Sequence, residues 1–154
     1  MDKDVAKTYG NRVRVRVCGM CWERERLLMV NHQGVSDTNF WAPPGGGVEF
    51  GQSISDTLRR EFSEETGLRV APGDFLFGCE YIRDPIHSIE LFYDVHVESG
   101  ALITGTDPEI QIISEVRFLS FEEILKIPTA QVHGIFHDVN SPADLKRLRG
   151  FFRI

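Results

Sequence analysis

Three consecutive glycines at positions 45–47 constrain the middle of this chain more than any other feature. They directly follow Pro43 and Pro44, and a helical pattern begins at Ser53. Glycine runs and adjacent prolines are typical of turns and loops. The segment around the glycines is therefore predicted to be a loop that leads into a helix.

The residues from Ser53 to Thr66 have the pattern of an amphipathic helix. Ser53 is a favourable N-cap, and Asp56 three positions later gives a weak capping box. Gly67 occupies the place where a left-handed C-cap is expected. An apolar stripe at four-residue spacing predicts which face is buried: Ile54, Leu58 and Phe62.

Alternating and apolar segments on both sides of this helix predict strands, while two shorter segments predict helices. Strands are expected at 11–18, 27–30, 75–82, 88–97 and 115–119, a loop at about 99–109, and helices at 121–126 and 142–149. Strands interleaved with helices favour an α/β or α+β layer sandwich. Neither a repeat nor a linker divides the 154 residues, which predicts a single domain over 1–154.

Composition excludes several classes of protein. The chain has 17 basic and 23 acidic residues, a formal net charge of −6, which argues against a stable complex with nucleic acid. No apolar run approaches the roughly 18 residues of a membrane span, and the charged segment 1–4 leads into no apolar signal region. Three cysteines are too few for a disulfide scaffold, so we expect reduced thiols and a cytoplasmic protein.

Three glutamates on the predicted helix carry the strongest chemical signal. Glu61, Glu64 and Glu65 are related by three and four positions, so their carboxylates share one helix face. Like charges repel there, and the helix dipole disfavours anions in its later half. A divalent cation such as Mg²⁺, with Mn²⁺ as a substitute, would relieve this repulsion. An isolated pair of glutamates would more often be a solvated helix face.

This segment resembles the Nudix box, the pattern Gly-x5-Glu-x7-Arg-Glu-(apolar)-x-Glu-Glu-x-Gly-(apolar). The box would cover 23 of the 154 residues, starting at Gly46. One position departs from it, because Gln52 stands where the first glutamate belongs, so a weakened or altered metal site is expected. The residues that match the rest of the pattern are Arg60, Glu61, Phe62, Glu64, Glu65, Gly67 and Leu68.

The resemblance implies a Nudix-type α/β/α sandwich with a mixed β-sheet, and hydrolysis of a nucleoside diphosphate linked to another moiety. It implies that the carbonyl of Gly45 and the carboxylates of Glu61, Glu64 and Glu65 hold the metal. Arg60 would fix a box glutamate by ion pairing.

The general base varies within this family. It is either a box glutamate, Glu64 or Glu61, or a later residue, for which Glu115 is the first candidate and Glu109 the second. No residue set selects a substrate among nucleotide derivatives, and a homodimer is compatible with the family. The competing hypothesis is a domain that binds a nucleotide without cleaving it, which only Gln52 favours.

Several other features have a structural and a functional interpretation. Cys18 and Cys21 have the spacing of half a zinc site, but residues three apart on a strand face opposite sides, which favours two core residues. Phe40 and Trp41 could stack on a base or pack beside the loop. Alternating arginines could meet phosphates or form a solvated strand face, the second being favoured: Arg12, Arg14 and Arg16. The histidines are scattered, and surface or strand positions explain each: His32, His87, His96, His133 and His137.

Overall fold

The computed structural model describes residues 3–33, 39–104 and 113–154. In this part of the chain the α-helices are α1 (Lys3–Tyr9), α2 (Ile54–Thr66), α3 (Phe121–Lys126) and α4 (Pro142–Lys146). The strands are β1 (Arg12–Glu23), β2 (Arg26–His32), β3 (Phe40–Ala42), β4 (Gly45–Gly47), β5 (Leu68–Arg83), β6 (Ile86–Gly100), β7 (Ile113–Ser120) and β8 (Gly150–Arg153). Two short 3₁₀ helices span Thr129–Gln131 and Gly134–Phe136.

The strands of the described residues form one mixed sheet with the order β3-β2-β1-β6-β5-β8. β4 also pairs with β1, and β7 also pairs with β2. The pairings β1–β6 and β5–β8 are parallel, and the others are antiparallel. The predicted mixed sheet with helices on both sides is confirmed.

Helix α2 forms where the sequence predicts it. The Ser53 side chain accepts a hydrogen bond from the Asp56 amide at 3.0 Å. At the other end Gly67 adopts φ 76°, a left-handed conformation, and its amide donates to the Ser63 carbonyl. Leu58 and Phe62 on the predicted stripe are fully buried. Burying two such side chains stabilises the fold by about 3–6 kcal/mol relative to leaving them in water.

Two apolar clusters cover the two faces of the sheet. Along β1 the side chains alternate between them, so Val17 and Cys21 pack beneath α2 while Cys18 lies on the other face. The second face is covered by residues of α3, the second 3₁₀ helix and α4. Cys18 and Cys21 are therefore two core residues on opposite faces, as predicted, and neither is disulfide-bonded.

The segment around the glycines differs from the prediction of a loop. β3 pairs with β2, and β4 pairs with β1 from Arg16 to Cys18. A strand of three glycines has no side-chain alternation, so the sequence pattern contains nothing that marks it. The pairing also explains the residue type, since a Cβ on Gly45 would lie only 2.2 Å from the Val17 carbonyl oxygen.

Other boundaries shift without changing the architecture. β5 and β6 are longer than predicted, and β6 includes the start of the predicted loop at 99–109. Residues 101–104 lie outside regular secondary structure, and the rest of that loop lies outside the described residues. The predicted helix at 142–149 ends at Lys146, and β8 begins at Gly150. Helix α1 and β8 were not predicted.

No helix among the described residues combines the length and the apolar character that spanning a bilayer requires.

Candidate active site

Arg60 connects the residues of the box. Its Nε and Nη2 atoms donate to Gln52 Oε1 at 3.2 and 3.1 Å. Its Nη1 atom lies 3.0 Å from Glu61 Oε1 and 3.3 Å from Glu64 Oε2. Arg60 thus contacts two box carboxylates, and its role in the site stays a prediction.

Glu61 and Glu65 are buried against β4. Their exposed fractions are 5% and 1%. Glu65 Oε2 accepts a hydrogen bond from the Gly45 amide at 3.3 Å, and a Cβ on Gly46 would lie 2.3 Å from Glu61 Oε1. The carboxylates can come this close to the backbone because β4 has no side chains. Burial of an anion is costly without compensating charge or hydrogen bonds.

Glu64 occupies a different environment from its two neighbours. Its side chain is 33% exposed and pairs with Arg60 at the surface of α2. Among residues 3–33, 39–104 and 113–154, no group of three or more His, Cys, Asp or Glu side chains is arranged to hold a metal ion. The three glutamates that the spacing places on one helix face therefore differ in exposure: Glu61 and Glu65 are buried, and Glu64 is partly exposed.

The donors nevertheless fit a hard divalent cation in type. Glu61 and Glu65 provide buried carboxylate oxygens beside the glycine backbone, and such oxygens are the ligands of Mg²⁺ and Mn²⁺. Gly46 leaves room for the Glu61 carboxylate, because a Cβ at that position would lie 2.3 Å from Glu61 Oε1.

The two candidates for a base outside the box are placed differently. Glu115 lies on β7, 42% exposed, with its carboxylate 3.2 Å from Arg117 Nη1. Glu109 lies outside the described residues. The assignment of the base stays a prediction.

A second charged network lies on the other face of the sheet, and the sequence analysis did not predict it. Glu90 Oε2 lies 2.7 Å from Arg16 Nη1, and Glu90 Oε1 lies 2.7 Å from His133 Nε2. Glu90 and His133 are buried. Burial alone would raise the pKa of Glu90, but neighbouring His133 and Arg16, with hydrogen bonds from His133 and Cys18, lower that pKa to about 2. The only signal in the sequence was a glutamate inside the apolar run Ile89–Leu91.

Arg16 is therefore not part of a freely solvated arginine stripe. The other two arginines contact the first helix: Arg14 stacks over the Tyr9 ring at 3.9 Å, and Arg12 donates to the Thr8 carbonyl. The expectation of a solvated face fails at Arg16 because β6 pairs in parallel with β1 and places Glu90 beside it.

Cys18 lies between the two charged networks. Its Sγ atom is 3.6 Å from Glu90 Oε2, and a Cβ on Gly45 would lie 2.9 Å from the same sulfur. Burial raises the pKa of Cys18 well above its usual value, and the charges of Glu90 and Glu65 raise that pKa further while Arg16 lowers it. The thiol is therefore protonated. It is close enough to both networks for the charges of Glu90, Arg16 and Glu65 to change its pKa.

His32 is a buried polar residue at the end of β2. Its Nδ1 atom has no hydrogen-bond partner among the described residues. Burial, with a smaller contribution from the Arg16 charge, lowers the pKa of His32 to about 4, so the ring is neutral at pH 7.

Structural roles account for most of the remaining candidates. Trp41 is buried in the core, and Phe40 is half-buried. Three histidines have local partners, namely Glu80 for His87 at 3.0 Å, Asp94 for His96 at 3.0 Å and the Thr129 carbonyl for His137 at 2.9 Å. Cys79 is buried and free.

Comparison with known proteins identifies the family. Residues 10–138 match the model of the NUDIX domain, and the chain belongs to the Nudix family. It is 30% identical to the m7GpppN-mRNA hydrolase NUDT17 of Danio rerio over 97% of this chain and 55% of that protein. It is 28% identical to the ADP-ribose pyrophosphatase of Methanocaldococcus jannaschii over 73% of this chain and 65% of that protein. The chain spans about half the length of the first of these relatives.

Solved structures agree on the fold. A MutT protein from Methanosarcina mazei superposes with a TM-score of 0.66 at 23% identity, over 82% of this chain and 88% of that one. A UDP-X diphosphatase gives a TM-score of 0.66 at 18% identity, over 98% of this chain and 75% of that one. The expected Nudix-type architecture is confirmed.

Proposed function

We propose that this protein is a metal-dependent pyrophosphohydrolase that cleaves a nucleoside diphosphate linked to another moiety. The observation that supports this most directly is the burial of Glu61 and Glu65 against the glycine strand. Acidic side chains are rarely buried unless they are paired, because each loses solvation on folding. Their placement next to a backbone free of side chains favours a site for a hard cation.

The residues in and next to the box divide into those that would hold the metal and those that orient them. The carbonyl of Gly45 and the carboxylates of Glu61, Glu64 and Glu65 would hold Mg²⁺ or Mn²⁺. When bound, the ion supplies an acidified water and neutralises charge on the phosphate oxygens. Arg60 orients Glu61 and Glu64 through Nη1, while Gln52 fixes the other side of the guanidinium.

Proton transfer is assigned to Glu64 first. Its partial exposure allows it to reach a water molecule from the surface of α2, whereas Glu61 and Glu65 are enclosed. Glu115 is the alternative base, since β7 presents it as a partly exposed carboxylate. Either residue must accept the proton of the attacking water.

The substrate is proposed only as a class. The names of two relatives give m7GpppN-mRNA and ADP-ribose, and each of these compounds contains a nucleoside attached to a chain of phosphates. A net charge of −6 favours a small nucleotide derivative over a long nucleic acid. We also propose a single domain over 1–154 that acts in the cytoplasm, where its three free, buried cysteines remain reduced. A homodimer is compatible with the family.

Incubation with a panel of nucleoside diphosphate derivatives tests the activity. Purified protein with Mg²⁺ should release phosphorylated products from at least one member, and chelation by EDTA should stop the reaction. Glu64→Gln should reduce kcat at least 100-fold, while Glu122→Gln, a matched change at an exposed glutamate of α3, should leave kcat unchanged. Equal rates for Glu64→Gln and the parent would contradict the proposal.

A nucleotide-binding module without catalysis is the second candidate. The observation that favours it is the pairing of Arg60 with both Glu61 and Glu64, in a box where residue 52 contributes no charge. Micromolar binding of one panel member without turnover by the parent would support this alternative.

A further inference from the structure

The network of Arg16, Glu90 and His133 lies on the face of the sheet opposite α2. Glu90 uses both carboxylate oxygens, one for Arg16 and one for His133, each at 2.7 Å. His133 Nδ1 accepts a hydrogen bond from the Ile135 amide at 3.2 Å, so its Nε2 atom carries the proton and donates to Glu90. Arg16 is thereby held at a defined position near the surface, with 29% of its side chain exposed.

A short series of contacts connects Arg16 to the box. Glu65 accepts from the amide of Gly45, and Gly45 pairs with Cys18 in the β1–β4 ladder. Cys18 in turn contacts Glu90, the partner of Arg16. Arg16 itself is in register with Gly47, whose carbonyl accepts from Arg60 at 3.5 Å. The glycine strand β4 therefore neighbours both Arg16 and the buried box carboxylate Glu65.

The chemistry of the guanidinium suits a phosphate. It carries five N–H donors in a planar fork, so an ion pair through Nη1 is compatible with a second contact to an anion. The box provides acids for a cation, and a diphosphate held there needs a positive charge for its remaining oxygens. A lysine would neutralise Glu90 as well as an arginine but could not offer the fork.

We propose that Arg16 binds a phosphate group of the substrate, and that Glu90 and His133 are positioning residues that fix its guanidinium. This inference rests on the proposed function, because the diphosphate must lie beside the box. The competing interpretation is structural, with Arg16 serving only to balance the buried charge of Glu90.

Two variants separate these interpretations. Arg16→Lys keeps the ion pair with Glu90 but loses the fork. The double variant Arg16→Met with Glu90→Gln removes both charges together, so no buried charge is left without a counter-ion. Arg14→Met is the matched control, since Arg14 is the next arginine on the same face of β1 and stacks on Tyr9.

Three quantities are measured for each variant: kinetics on the best panel substrate, the Kd of adenosine 5′-(α,β-methylene)diphosphate by calorimetry, and the Kd of Mn²⁺. We expect the double variant to raise KM and the analogue Kd about 10- to 100-fold, the size of a lost charged hydrogen bond. Arg16→Lys should raise both by a smaller factor. The Mn²⁺ Kd and kcat should stay within about threefold of the parent, and Arg14→Met should match the parent throughout.

The outcomes also distinguish this inference from the proposed function. Parental KM and analogue Kd in both Arg16 variants would overturn the inference while leaving hydrolysis intact. A parent that hydrolyses no panel member but loses the analogue on substitution of Arg16 would support the inference and contradict the hydrolase. Equal losses of analogue and Mn²⁺ binding would show a structural role for Arg16 and overturn the inference.

Discussion

The two arginine networks beside β4 solve the problem of buried negative charge in different ways. In the first network, each oxygen of the Glu90 carboxylate has its own partner at 2.7 Å: Arg16 for one and His133 for the other. In the box, one guanidinium is shared by Gln52, Glu61, Glu64 and the Gly47 carbonyl at distances from 3.0 to 3.5 Å. Short, paired contacts stabilise a fixed arrangement. A single guanidinium shared between two carboxylates leaves negative charge that can bind another ligand. The network of Glu90 therefore stabilises the fold and positions Arg16. The network of Arg60 is suited to bind a further ligand.

Replacing the box acids should break the second network with the largest effect. We expect the triple change of Glu61, Glu64 and Glu65 to glutamine to abolish metal-dependent hydrolysis, because the oxygens for the cation lose their charge. Glutamine keeps the shape, so the protein should remain folded. Steady-state kinetics and circular dichroism check both statements, and turnover at the parental rate would contradict the metal site.

Breaking the first network should instead reduce stability. Glu90→Leu leaves Arg16 and His133 without their acceptor in a buried region, a change that costs about 3 kcal/mol of unfolding free energy. Glu64→Leu should cost less than about 1 kcal/mol, because its ion pair is partly exposed. Urea unfolding of both variants measures the contrast. Equal losses would show that the two networks do not differ in the way described.

Acid should destabilise the protein through His32, which is buried at the end of β2. Since the folded pKa of His32 is lowered to about 4, the unfolded chain binds a proton first as the pH falls below 6.5. The associated stability is present above pH 6.5, and about 2–3 kcal/mol of it is lost between pH 6.5 and 4. His32→Asn should show a shallower loss over this window in urea unfolding. An identical pH dependence in parent and variant would exclude this role.

A substitution at position 52 should have the smallest effect of these changes, and it tests how Arg60 is shared among its partners. Gln52→Glu gives Arg60 a charged partner and so weakens its hold on Glu61 and Glu64. We expect Mn²⁺ to bind a few-fold more tightly, about 1 kcal/mol. Asn140→Asp adds the same charge at an exposed position and is the control. Unchanged Mn²⁺ titrations and unchanged turnover would make position 52 irrelevant to the site.

Local signals in the sequence predicted the helix that carries the box. Ser53, Gly67 and the apolar stripe define α2, and α3 begins and ends where the pattern places it. β4 could not be predicted in this way, because glycines have no side chains to alternate. The box acids were predicted as metal ligands from their spacing and from the resemblance to the box. The burial of Glu61 and Glu65 depends in addition on the pairing of β4 with β1.

The second network could not be predicted for a different reason. Glu90 is 74 positions from Arg16 and 43 from His133, and only the parallel register of β1 and β6 brings the first pair together. Nothing in the local pattern of His133 distinguishes it from the other histidines. Tertiary pairings of this kind are set by topology and not by local preference.

The close packing around β4 has a practical consequence for anyone who wishes to alter the specificity of this protein. A methyl group at Gly46 would collide with Glu61, and one at Gly45 with both Val17 and Cys18. Mutant libraries should therefore keep these codons fixed. Substitutions are better introduced at exposed neighbouring residues such as Glu49 and Phe50, where a new side chain contacts solvent and does not collide with the backbone.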